Sequence, residues 1–134
     1  MDDELRQTLI TQAETAFLTL MDQVNILLDT AQQFLALDVP HTFMDQVAHR
    51  EVRTAVFDLG SIPPMLAGEI TRWKKGESRV LSRQGTELNL LNELYTTMET
   101  LMQFFQRHKL NLTGFSLDKT KTAYFELLRC NRLL

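Results

Sequence analysis

Ile10, Ala13, Phe17, Leu20, Val24, Leu27, Ala31 and Phe34 follow one another at alternating spacings of three and four. That is the 3.5-residue repeat of a helix packed along a seam, and it predicts a helix over residues 3–37. Leu9, Met21, Leu28 and Leu35 widen the stripe onto a second face, and Asp22 is the only charge between Glu14 and Asp29. A helix so thinly charged is covered on more than one side, by its own bundle or by a partner subunit. Pro40 ends it, because the ring clashes with helical continuation and biases the preceding residue away from helix.

A second helix is expected over Thr42–Leu59, with Met44, Ala48, Val52, Ala55 and Leu59 inward and Gly60 as its C-terminal stop. Ser61 and the Pro63-Pro64 pair predict a turn and a fresh start. The short third helix that follows turns Leu66, Ile70 and Trp73 inward or into a contact and stops at Gly76. A long fourth helix carries Leu88, Leu91, Tyr95, Met98, Met102 and Phe105 at the same three-four alternation. It begins either near Ser78 or after Gly85, where an interior glycine would cost about 1 kcal/mol against alanine. After the loop "LNLTGFS", Ser116 is a suitable N-cap for a last helix reaching Arg132, with Tyr124, Leu127, Leu128 and Leu133 on its apolar side. No segment sustains a period of two, so no sheet is expected. The reading is a single all-α domain over residues 1–134, an elongated bundle of four to five helices, two of them long.

Composition adds little except in its distribution. The chain has 134 residues, 44% hydrophobic and 23% charged, as ordinary globular domains do. Cys130 is the single cysteine, which favours a reducing, cytoplasmic setting. The opening Met1-Asp-Asp-Glu lacks the basic start of a secretory leader, and no apolar run is long enough to predict a membrane span. The net charge of −3 hides an asymmetry: residues 1–60 hold ten acids against three bases, residues 61–134 seven acids against eleven. The halves could attract each other or a neighbouring copy, or the second half could meet a polyanion.

Catalytic chemistry finds little support. His41, Asp45 and His49 are spaced four apart, and imidazole with carboxylate can ligate zinc or iron, but a complete site would need ligands from another helix. His49 as a phosphorelay histidine would want a small residue one turn on, where Arg53 stands. Arg129 beside Cys130 could lower a thiol pKa, yet no base is adjacent. The five glycines stand singly and make no phosphate-binding loop. Met98, Met102, Phe104 and Phe105 could line a groove but at helical spacing read as core. No cofactor, metal, small-molecule substrate or enzymatic activity is predicted.

The stretch "RWKKGESRVLSR" concentrates Arg72, Lys74, Lys75, Arg79 and Arg83 around Trp73. Lys74 and Lys75 would favour the dipole at a helix C-terminus. Trp73 could pack inward, or stack on a base or an arginine. With Arg107, Lys109, Lys119, Lys121, Arg129 and Arg132 these cations could form one stripe that neutralises nucleic-acid phosphates without reading bases. A small, helical, cysteine-poor chain with one basic side resembles the small subunits of CRISPR interference (Cascade-like) complexes. That resemblance covers the general layout and rests on no family signature. It implies a non-catalytic bundle that lines up in copies, touching RNA or DNA through the basic half and neighbouring protein through the acidic half or the uncharged side of the first helix. The alternative is a dimeric adaptor, chaperone or regulator that binds protein through the apolar seam of the first helix.

Overall fold

A computed structural model describes residues 2–37, 43–76 and 86–134, with the side chains of 43–45 and 86–89 left aside. Among the described residues there are four helices and no strand: α1 (Asp3–Leu35), α2 (Phe43–Lys74), α3 (Thr86–Arg107) and α4 (Leu117–Leu133). Each packs against its neighbour in the chain, and α4 returns to pack along α1. Phe34 meets His49 and His108, whereas Arg6 meets the end of α2 at Trp73 and Ser116 meets Gln23. The helices therefore run alternately up and down around one core. At about 1.5 Å per residue α1 is roughly 50 Å long, so the bundle is elongated as expected.

The seam of α1 is consumed inside this bundle. Ile10, Ala13, Leu20, Val24, Leu27 and Ala31 are buried, and Met21, Leu28 and Leu35 of the second face pack against the same core. The helix lies between α2 and α4, which explains its low charge without a partner. An adaptor that docks proteins on this seam would have to open its own core, so the seam is not the surface through which a partner could bind the folded chain.

The expected break at Gly60 and Pro63-Pro64 does not occur, and α2 is one helix of 32 residues. Neither proline can donate to the carbonyl four residues back. Yet Val52, Leu59, Ile62, Leu66, Ile70 and Trp73 are all buried and keep one phase across the pair. A turn there would throw half of these side chains out of the core, a larger loss than two hydrogen bonds. The helix stops where glycine does demand it: Gly76 has φ +74° and its N–H donates to Trp73 O. Any start of α3 before Thr86 lies outside the described residues.

The termini are capped as the sequence requires. Asp2 accepts from the Glu4 N–H at 3.1 Å and Ser116 from the Lys119 N–H at 3.1 Å. The Ser116 N–H itself donates to the buried Gln23 at 2.7 Å, tying the loop before α4 to α1. At the end of α3, Lys109 takes φ 56°, its N–H donating to Gln106 O and the Leu110 N–H to Phe105 O. These are the paired bonds of a Schellman cap, with lysine where glycine is usual.

Candidate nucleic-acid interface

The predicted cations divide between the two ends and one flank of the bundle. Arg72, Lys74 and Lys75 lie at the end of α2, while Arg107 and Lys109 lie at the opposite end, beside α1's C-terminus. Arg79 and Arg83 lie outside the described residues. Trp73 is 3% exposed, so its ring belongs to the core and offers no stacking face. Arg72 lies 3.3 Å from the buried carboxylate of Glu69, and Lys74 Nζ is 2.6 Å from Glu14 Oε2. Both cations are at least half exposed, but each already faces a carboxylate of the same molecule.

Arg129 is committed in the same way, with Nη2 2.6 Å from Glu126 Oε1 and 2.5 Å from Gln12 Oε1. This hydrogen bonding holds the Glu126 carboxyl below its ordinary pKa. The neighbouring Cys130 is buried, and its thiol is pushed up, first by desolvation and then by Glu126, so the arginine does not activate it. His49 is half-buried with its ring 5.9 Å from that of Phe34, while His108 lies 4.2 Å from Phe104. Both histidines edge an aromatic cluster. His41 lies outside the described residues, as does the Asp45 side chain, and no group of three ligating residues gathers among those described.

Lys75, Arg107, Lys109 and Lys119 have no carboxylate partner among the described residues either, but the outer face of α4 sets unpaired cations beside an exposed aromatic. Lys121, Phe125 and Arg132 follow at spacings of four and seven, which places them on one side of the helix, with Leu128 beside them turned toward the core. Phe125 is 61% exposed. Its ring meets Tyr124 edge-on at 5.2 Å, and Tyr124 in turn stacks on Tyr95 of α3 at 4.7 Å. The Tyr124 hydroxyl donates to Asn92 Oδ1, which fixes the ring. Burial raises the Tyr124 pKa, and the charge of Arg132 opposes part of that rise. Among the described residues no carboxylate pairs with Lys121 or Arg132.

The face therefore combines two free cations, about 16 Å apart along the helix, with an exposed aromatic between them. Phe125 is absent from the apolar side that periodicity predicts for this helix. Its place four after Lys121 and seven before Arg132 was the available signal. Leu133, expected to face inward, is 49% exposed at the helix end. No helix among the described residues is long and apolar enough to cross a membrane. Comparison with known proteins gives no match to a family model, a curated protein or a solved structure.

Proposed function

We propose that this chain is a non-catalytic, cytoplasmic helical subunit that contacts nucleic-acid backbone without sequence preference, through the outer face of α4. The observation that carries the reading is Phe125, exposed on the same face as Lys121 and Arg132, neither of which has an acidic partner among the described residues. A base can lie on the phenyl ring while flanking phosphates meet the two cations, a combination that suits a single strand. Lys119 lies on another side of α4, along the groove against α1, and is not part of this face. The Arg72–Lys75 segment is a poorer contact, because its tryptophan is buried and two of its cations are paired. Two to three phosphate contacts make a weak binder alone, consistent with a subunit that works inside a larger assembly.

Titration of a fluorescent oligo-dT or oligo-U strand by anisotropy tests this. Two neutralised phosphates predict a log–log salt slope of about −1.4 for a single strand. Lys121→Glu/Arg132→Glu should flatten that slope toward zero. Phe125→Ala should keep the slope and lower affinity by about 1–3 kcal/mol. A strand bound equally well by both variants, or by none of the three proteins at low salt, refutes the reading.

A further inference from the structure

The outward face of α2 holds three features that nothing inside the chain explains. Phe57 is 72% exposed and Met65 55%, although both are large and apolar. Gly60 and Gly68 lie in the helix, yet a Cβ on either would meet nothing within 4 Å, so no internal contact requires them. The helix also carries Arg50 and Arg53 near one end and Lys75 just past the other, all exposed and without a carboxylate partner among the described residues. Such a face suits a close-packed helix whose own ends are acidic.

The molecule has a surface with that character. Glu4, Thr11, Thr15, Leu18, Asp22 and Asp29 line the outer side of α1, and Leu18 is 63% exposed. That side carries no free base, because Arg6 is turned onto Trp73 O. Beside it runs an open, mainly apolar groove of about 480 Å³ between α1 and α4, walled by threonines and alanines of both helices, with Asp118, Lys119 and Glu126 also in its lining, two acids against one base.

Spacing decides the register. Arg50 to Lys75 and Glu4 to Asp29 each span about 38 Å of helix. With the two helices parallel, Arg50 meets Glu4 and Lys75 meets Asp29. Phe57 then falls at Thr11, at the groove, while Pro64 and Met65 fall at Leu18. The antiparallel arrangement satisfies the charges equally but drives Phe57 onto Asp22. From this complementarity we infer that the occupant of the α2 face is the α1–α4 side of a second copy, in a head-to-tail contact that leaves each copy with one face of each kind still open. Two strips about 38 Å long and 10 Å wide bury about 800 Å² in total, below the roughly 1,000 Å² of a stable interface, as for a transient contact. Association through so small a contact is weak and reversible. Association through these faces needs no nucleic acid.

Sedimentation of the full chain at rising concentration, in 50 and 500 mM salt, should show mass growing beyond a dimer at low salt and falling back at high salt. Arg50→Glu/Lys75→Glu makes both faces acidic, and Glu4→Lys/Asp29→Lys makes both basic. Each variant alone should associate at least about tenfold more weakly, and an equimolar mixture should regain association, because each supplies the face the other has reversed. Gly60→Ala/Gly68→Ala should raise Tm while lowering association, which separates loss of contact from loss of fold. A monomer at every concentration overturns the inference. So does a Glu4→Lys/Asp29→Lys protein that associates like wild type, since that would mean α2 pairs with α2. A mixture no better than its components overturns it as well.

Discussion

Lys109 illustrates how a residue's chemistry and its structural task diverge. Its charge makes it a candidate for phosphate contact, but its backbone closes α3 in a left-handed conformation that costs a side-chain-bearing residue about 1 kcal/mol or more. Lys109→Gly should therefore raise unfolding free energy by about 1 kcal/mol in urea titration, although it removes a cation from the C-terminal dipole. Ser116 works in the opposite sense. Its hydroxyl caps α4 and its N–H is satisfied by Gln23, so the two side chains do different work at one joint. Ser116→Ala should cost about 1 kcal/mol. Gln23→Leu should cost about 1–3 kcal/mol, by burying an N–H with no acceptor. Ser116 was legible as a cap from its position before an apolar run. Gln23 was not, because a glutamine in a helical stripe has the same local signature whether it faces water or a loop 93 residues away.

At the scale of the element, α2 shows tertiary packing overruling local preference. Gly60, Pro63 and Pro64 together read as a stop and a restart, and each lowers helix propensity. The buried positions on either side nevertheless keep phase, and that continuity was present in the sequence as the unbroken 59-62-66-70-73 spacing. Pro64 is exposed and Pro63 buried. Pro64→Ala should therefore stabilise the protein by up to about 3 kcal/mol, because it restores a helical hydrogen bond and removes no core contact. Pro63→Ala should gain less, since it also loses buried surface. Comparison of the two midpoints in urea checks the asymmetry. Equal gains would mean that the buried ring contributes nothing to the core.

Across the whole molecule, ionisation links the core to pH. Cys130, Tyr95 and Tyr124 all have pKa values raised chiefly by burial, from ordinary values of 9.0 for the thiol and 10.0 for the phenols. The unfolded chain gives up these protons at lower pH than the folded one. Above pH 9 it therefore binds fewer protons, and stability falls as pH rises. The urea midpoint should be level from about pH 7 to 8.5 and decline beyond, with Cys130→Ala delaying the onset. An unchanged midpoint at pH 10.5 would contradict the burial of these groups. The all-α class, the seam of α1, the cap at Ser116 and the end of α2 at Gly76 were determined by the sequence itself. They rest on apolar period, side-chain hydrogen bonding and backbone sterics, which act over one or two turns. Which cations stay free was decided only by the tertiary structure. Lys74 meets Glu14 across helices, whereas Lys121 and Arg132 meet no acid among the described residues, and pairing of that kind depends on distances that folding sets between remote residues.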